Sequence, residues 1–229
     1  TGASWKWYSG SCGGALLGTG ATLSNVAVNT STTFFVRAEG TCNTTSCASV
    51  TVTTTAAPSI SILASPYTSL LPGMFTTLTA TITPPGPTNT IAWYRNGIAV
   101  PGASGSTLRV GVDELGLYTA RVTTALNCTA LSNAVNIKDS ASNRLFITPN
   151  PNSGVFQVRY YSGAVNPGTT RSLVIYGNNG QRVYIKSFTV TAPYSIMDVS
   201  AGPLAGGVYV VAVMDSNGKV LATGKVVLQ

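Results

Sequence analysis

Two stretches of this chain repeat one pattern of residues, and an internal repeat constrains a fold more strongly than other sequence features do. The matched segments are Trp7–Gly10 with Trp93–Gly97, Gly20–Leu23 with Gly105–Leu108, Phe34–Ala38 with Tyr118–Val122, and Ser46–Val52 with Asn127–Val135. Corresponding positions lie about 85 residues apart, which indicates one structural unit used twice. The 229 residues are enough for two or three small domains.

The repeated unit resembles an immunoglobulin-like β-sandwich. Trp93 lies where a central strand of that fold would bury it, and Asp113–Tyr118 is similar to a tyrosine corner, whose Tyr hydroxyl bonds back to upstream backbone. The alternation of residues in Leu117–Thr123 predicts a strand. Phe34 replaces the Tyr in the first copy, so the corner hydrogen bond is expected only in the second.

The two copies differ in length before their tryptophan. About 35 residues lie between Pro58 and Trp93, and they include a clear strand at Phe75–Ile82, whereas only six residues precede Trp7. We therefore expect the first copy to lack its first two strands, and we interpret the chain as the end of a longer repetitive surface protein. The predicted domains are an incomplete repeat at 1–56, a complete repeat at 57–138 and a C-terminal domain at 139–229.

Composition favours strands and argues against several classes of function. Charged residues make up only 8% of the chain, and Thr, Ser, Gly and Val dominate, which suits strands and turns and disfavours long helices. The predicted fold class is therefore all-β, with tandem immunoglobulin-like sandwiches followed by a small C-terminal sandwich. No run of eighteen apolar residues predicts a membrane span. The net charge of +7 is dispersed, so a nucleic-acid partner is not expected.

Catalytic residues are scarce. The chain has no His, which excludes Ser-His-Asp and Cys-His catalysis and every His-ligated metal site. Of its six carboxylates only Asp113 and Glu114 are neighbours in sequence, and adjacent side chains on a strand point to opposite faces. We expect no enzyme activity, no cofactor and no metal.

The last part of the chain, 144–229, predicts about seven short strands. In Val155–Tyr160 alternate side chains face opposite sides. Asn178–Gly180 and Asn217–Gly218 each predict a hairpin turn that needs positive φ. Pro149-Asn150-Pro151 predicts an extended opening segment, because each Pro restricts itself and its predecessor.

Four motifs follow one another in this segment: Pro-Asn-Pro in Ile147–Phe156, Asn-Gly-Gln in Leu173–Val183, Leu-Ala-Gly-Gly-Val-Tyr in Leu204–Val211, and Lys-Val-Val in Gly224–Gln229. Their order resembles the type A C-terminal sorting domain of proteins exported by the bacterial type IX secretion system, as in the Bacteroidetes. The resemblance implies export through the periplasm and across the outer membrane to the cell surface or the medium. It implies as partners the type IX translocon, an outer-membrane β-barrel shuttle protein and a surface sortase-like peptidase that removes the domain.

The resemblance also implies candidate residues for recognition of the sorting signal. They are Pro149, Asn150, Pro151, Gly154, Gly180, Gly207, Tyr209, Gly218, Lys219 and Lys225. Turn geometry is the alternative interpretation for the glycines, and solvated charge at a strand edge is the alternative for both lysines. One departure from the family is the long loop Tyr161–Thr170, so the family pattern does not fix the exact registers of the strands.

Four cysteines predict disulfide chemistry, because an exported protein meets oxidising conditions. We expect Cys12 to pair with Cys42, since Cys12 follows the first Trp strand and Cys42 lies between two late strands. A loop closed by Cys42 and Cys47 is the alternative. Cys128 is expected to be a free, buried thiol.

Three functions fit these observations. The leading hypothesis is an export signal preceded by immunoglobulin-like repeats that act as a stalk. The second is an adhesin or carbohydrate-binding fragment, for which Trp5, Trp7, Tyr8 and Tyr94 offer aromatic surfaces, although Trp7 and Trp93 are expected in the core. The third is the accessory tail of a secreted hydrolase.

Overall fold

The structure is a computed structural model that describes residues 2–85, 89–163 and 168–229. All regular secondary structure in these ranges is β-strand, which confirms the all-β prediction. The chain forms two compact units, Thr1–Ala57 and Pro58–Gln229, and each is described by itself.

The first unit is a single antiparallel sheet. Its strands are β1 (Ser4–Ser9), β2 (Ala15–Thr19), β3 (Thr32–Glu39) and β4 (Ala48–Val52), in the spatial order β2-β1-β3-β4. Phe34 is buried, Trp7 is only partly buried and Trp5 is 49% exposed. The expected burial of Trp7 is therefore met only in part. Within the described residues of this unit, no second sheet packs against the face that carries these rings.

The disulfide prediction is wrong: Cys12 pairs with Cys47, not with Cys42, and their Cα atoms are 5.9 Å apart. Cys47 adjoins Ala48, which pairs with Val36, so Cys47 lies beside Arg37. The turn after β1 brings Cys12 to the same place, where Arg37 Nη1 contacts its Sγ at 3.8 Å. Cys42 instead lies at the tip of the turn after β3 and is exposed.

A compact charged cluster occupies the other face of this sheet. The Glu39 carboxylate accepts hydrogen bonds from Lys6 Nζ at 2.6 Å, from Arg37 Nε at 2.7 Å and from the Tyr8 hydroxyl. The bond to Lys6, then those to Tyr8 and Arg37, lower the pKa of Glu39 from its ordinary 4.5 to about 2. The carboxylate is thus charged in the folded unit at every pH above about 2.

This cluster makes the first unit acid-sensitive. A carboxyl whose folded pKa is depressed contributes stability above its unfolded pKa, and that contribution is lost as pH falls through the folded pKa. We expect the stability of the unit to fall between pH 4.5 and about 2, the two pKa values of Glu39. Intrinsic fluorescence during denaturant titrations at each pH measures it. Glu39→Gln should flatten the dependence, and an unchanged acid loss in that variant would contradict the assignment.

The second unit begins with an immunoglobulin-like sandwich. Its strands are β5 (Ser59–Ser65), β6 (Ser69–Leu70), β7 (Phe75–Thr83), β8 (Thr90–Arg95), β9 (Ile98–Ala99), β10 (Thr107–Gly111), β11 (Gly116–Thr123), β12 (Thr129–Leu131) and β13 (Val135–Asp139). One sheet has the order β10-β7-β5, and the other has the order β6-β13-β11-β8-β9 with β12 also on β11. The strand pairs are antiparallel except β6 with β13, and one apolar core lies between the sheets.

Two predicted signatures of this sandwich are confirmed. Trp93 is 1% exposed in the core, and the Tyr118 hydroxyl donates to the carbonyl of Glu114 four residues upstream, which is the tyrosine corner. Trp93 Nε1 also donates to the carbonyl of Gly105 at 2.8 Å. Trp7 makes the same bond in the first unit, to the carbonyl of Gly20 at 3.0 Å, so the repeat seen in sequence is a repeat of contacts. Cys128 is free as predicted but exposed, so its predicted burial is wrong.

The described residues of the C-terminal segment form seven strands, as predicted. They are β14 (Leu145–Thr148), β15 (Val155–Tyr160), β16 (Thr169–Tyr176), β17 (Arg182–Val190), β18 (Met197–Ser200), β19 (Gly207–Met214) and β20 (Val220–Leu228). Sheets with the orders β14-β15-β18 and β17-β16-β19-β20 enclose a second apolar core. Both predicted hairpins form, β16 with β17 and β19 with β20. Of the predicted loop Tyr161–Thr170, positions 164–167 lie outside the described residues, and Thr169 and Thr170 already belong to β16.

Candidate recognition surface

The segment Pro149–Asn152, here called the edge strap, lies along the outer edge of the C-terminal strand β20. The side chain of Asn150 pairs with β20 as a backbone would: its Nδ2 donates to the carbonyl of Lys225 at 3.0 Å, and its Oδ1 accepts from the amide of Val227 at 2.9 Å. Asn152 adds bonds through its own backbone to Val227 and Gln229. An open strand edge is a template for unwanted pairing, and the edge strap closes this one.

Local chemistry gives the edge strap its shape. Proline has no amide hydrogen, so Pro149 and Pro151 cannot donate to a ladder, and side chains supply the bonds instead. Asn152 Nδ2 donates to the carbonyl of Pro149 at 3.0 Å, and Asn152 Oδ1 accepts from the amide of Gly154 at 2.8 Å. Gly154 has φ +96°, and a Cβ there would lie 3.2 Å from the carbonyl oxygen of Gly202. The glycine is therefore required by conformation and by this close approach.

The structure brings four of the ten candidate residues together at this edge. Pro149, Asn150, Pro151 and Lys225 are all exposed, whereas Gly154 is buried behind them. The exposed group combines two rigid rings, an amide and one cation. Such a surface can contact a partner protein without the ordering of a flexible loop.

Gly207 and Tyr209 belong to a second tyrosine corner, which the sequence analysis did not identify. The Tyr209 hydroxyl donates to the carbonyl of Ala205 at 2.8 Å, four residues upstream, as Tyr118 donates to Glu114. In both corners a glycine stands two residues before the tyrosine. The spacing of Gly-x-Tyr is the signal that could have found it, and it gives Tyr209 a structural role.

The remaining candidates lie in hairpin turns at opposite ends of one sheet. Gly180 follows β16, with φ +79° in a turn closed by its amide bond to the carbonyl of Gly177. Gly218 and Lys219 lie in the turn between β19 and β20, where Asp215 Oδ1 accepts from the amide of Lys219 at 2.9 Å. β16 and β19 are antiparallel, so these turns are at opposite ends. The ten candidates therefore do not form one cluster.

The outer face of this sheet carries an apolar patch that the sequence analysis also missed. Val208, Val210 and Ile185 point away from the core and are 53%, 38% and 53% exposed. The signal was the continuous apolar run of β19, since strands with apolar residues on both faces are generally covered on both. This patch shares its face with Lys225, which pairs with Val210.

Within residues 2–85, 89–163 and 168–229, no three His, Cys, Asp or Glu side chains are grouped as metal ligands would be. The same ranges include no helix with the length and hydrophobicity to cross a membrane.

Comparison with known proteins gives two family matches. Residues 1–55 match the model of a family described as Ig-like domain CHU_C associated, and residues 147–229 match that of a family described as secretion system C-terminal sorting domain. Both are non-catalytic fold types. No curated protein matches the chain.

Comparison with solved structures gives matches of low sequence identity. The fibronectin(III)-like modules of Clostridium thermocellum CbhA share 12% identity over 74% of this chain and 92% of theirs, with a TM-score of 0.30. The human OSCAR ligand-binding domain shares 15% sequence identity over 76% of this chain and 100% of its own, with a TM-score of 0.31. The chicken CNTN1 FN1-FN3 domains share 10% sequence identity over 99% of this chain and 91% of theirs, with a TM-score of 0.30.

The family matches agree with the motifs and the strands already described. A sorting domain of this kind marks a protein that is exported across the outer membrane to the cell surface or secreted. The chain thus carries an immunoglobulin-like domain at its N-terminal end and a type IX secretion C-terminal sorting domain at its C-terminal end.

Proposed function

We propose that residues 139–229 are an export signal that the type IX translocon and an outer-membrane β-barrel shuttle recognise, and that 1–56 and 57–138 are stalk repeats without catalytic activity. A surface peptidase of the sortase-like kind then removes the signal. The match of 147–229 to the sorting-domain family carries this proposal. The absence of His from the chain supports the non-catalytic part, because it excludes the commonest general base.

The edge strap and Lys225 are the surface through which recognition takes place. Hydrogen bonds from Asn150 hold the edge strap against β20, the strand that carries Lys225, so the surface exists only when the domain is folded. The net charge of the domain fits an acidic partner, since 139–229 contains seven basic and three acidic residues, a net of +4. The exposed valines beside Lys225 extend the surface with apolar area.

A fusion tests the export role directly. Residues 139–229 are placed behind a fluorescent protein that is directed to the periplasm of a host with a type IX system. Surface or medium delivery should occur with the translocon and be absent when the translocon gene is deleted. Retention in the periplasm in both hosts would refute the proposal.

Two lysines on one hairpin provide a matched test of the recognition surface. Lys225 lies beside the edge strap, whereas Lys219 lies in the turn six residues earlier, about 20 Å away along the strand. Removing one ionic contact weakens binding by about 5-fold, so Lys225→Ala should lower delivery of the fusion by about that factor. Lys219→Ala should leave delivery unchanged. Quantitative surface labelling measures the delivery of both variants. An equal loss of delivery in the two variants would show that the edge strap is not the recognition surface.

A further inference from the structure

A bidentate ion pair joins the second repeat to the C-terminal domain. Asp113, in the tyrosine-corner loop, accepts from both terminal nitrogens of Arg159 on β15, at 2.6 and 2.8 Å. Arg159 also donates to the carbonyl of Tyr194 at 3.2 Å, and its side chain is only 14% exposed. The arginine holds the pKa of Asp113 below its ordinary value. This fork geometry fixes orientation as well as distance.

The linker between these two domains is held from both sides. The amide of Ser140 donates to the carbonyl of Leu70 in the second repeat at 2.9 Å. The carbonyl of Ser140 accepts from the Tyr194 hydroxyl of the C-terminal domain at 2.6 Å. Tyr194 is 4% exposed. Its ring packs edge-on against Phe146, with 5.7 Å between the centroids, and in a tilted arrangement against Tyr161, with 5.4 Å between the centroids. The linker backbone at Ser140 therefore has both its donor and its acceptor occupied.

Two grooves flank these contacts. A groove of about 440 Å³, lined by Phe75, Phe146 and Arg159, lies on one side of Asp113, and a groove of about 490 Å³, lined by Thr191 and Tyr194, lies on the other. Asp113 lines both grooves. The polar contacts described above join the domains beside these grooves, and the default expectation for two domains of one chain is that they move relative to each other.

We propose that the second repeat is the intramolecular partner of the C-terminal domain, and that the Asp113–Arg159 pair and the Tyr194–Ser140 bond form a clasp that shields the linker 140–144 from proteolysis. A protease needs a locally unfolded segment, so the cutting rate follows the population of the open clasp. Protection of the linker is a property of this chain and needs no other protein. A consequence is that opening of the clasp determines when the surface peptidase removes the export signal, and this consequence rests on the proposed function.

Limited proteolysis of the purified chain 1–229 with subtilisin tests the clasp, with cut positions identified by mass spectrometry. An ion pair of this kind is worth up to about 1 kcal/mol, which corresponds to about a 5-fold change in the open population. Asp113→Arg should raise the cutting rate between Lys138 and Leu145 by about that factor. The exchange Asp113→Arg with Arg159→Asp should restore the wild-type rate. Arg182→Asp, an exposed charge change on β17, is the control and should have no effect.

A second variant keeps the test decisive if a charge change affects folding. Tyr194→Phe removes the hydroxyl that bonds to Ser140 and keeps the buried ring, and it should also raise linker cutting by about 5-fold. Circular dichroism verifies that each variant is folded. Cutting at the wild-type rate in folded Asp113→Arg and Tyr194→Phe, or failure of the charge exchange to restore protection, would overturn the clasp. The assay contains no translocon, so its result is independent of the export proposal.

Discussion

Replacing Trp93 with Ala should unfold the second repeat, or leave it only marginally stable. The ring is 1% exposed, and truncation of a buried aromatic side chain costs about 3–5 kcal/mol through lost burial and the cavity left behind. The carbonyl of Gly105 also loses its donor. A loss of this size is a large fraction of the stability of a typical domain, about 5–15 kcal/mol. Amide exchange of β8 and β11 in the full chain measures it.

Two further substitutions separate the terms of this loss. Trp93→Phe keeps a buried aromatic ring but removes the indole N–H and part of the ring volume, so it should cost about 1–2 kcal/mol. Ile98→Ala removes an apolar side chain of the same sheet that is 74% exposed, and it should cost less than about 0.5 kcal/mol. Similar exchange rates in Trp93→Ala and Ile98→Ala would show that Trp93 does not organise this core.

The features that could be predicted from sequence are those that depend on neighbouring residues. The hairpins at Gly180 and Gly218 follow from local turn chemistry, and both form with positive φ. The tyrosine corner at Tyr118 follows from a six-residue pattern. The two copies of the repeat could be aligned because a glycine follows each tryptophan about a dozen residues later, Gly20 after Trp7 and Gly105 after Trp93. In the structure each tryptophan donates a hydrogen bond to the carbonyl of that glycine.

The features that could not be predicted depend on which distant residues meet. Cys12 pairs with Cys47 because a turn and a strand register bring both to Arg37, and linear spacing does not encode that meeting. Asn150 bonds to the backbone of Lys225 across 75 positions. A pattern can mark Pro-Asn-Pro as a motif, but only the folded sheet shows that its asparagine completes the edge of the last strand.

The same dependence on the folded sheet makes β20 the place to test whether the export signal is a surface or a linear sequence. Val226 is completely buried in the core of the C-terminal domain, and Thr223, on the same strand, is exposed. Val226→Asp buries a carboxyl without a partner and should cost more than about 4 kcal/mol, whereas Thr223→Asp should change stability by less than about 0.5 kcal/mol. Neither substitution changes the amino-acid sequence of the edge strap or either lysine.

Both variants are measured twice, by thermal unfolding of the fusion and by its delivery to the surface. We expect Val226→Asp to unfold the domain and abolish delivery, because hydrogen bonds to the backbone of a folded β20 hold the edge strap in place. Thr223→Asp should retain both properties. Normal delivery of an unfolded Val226→Asp fusion would show that the machinery reads a linear sequence. The surface of Pro149, Asn150, Pro151 and Lys225 would then have no role in recognition. Loss of delivery together with loss of the fold would instead support recognition of a folded surface.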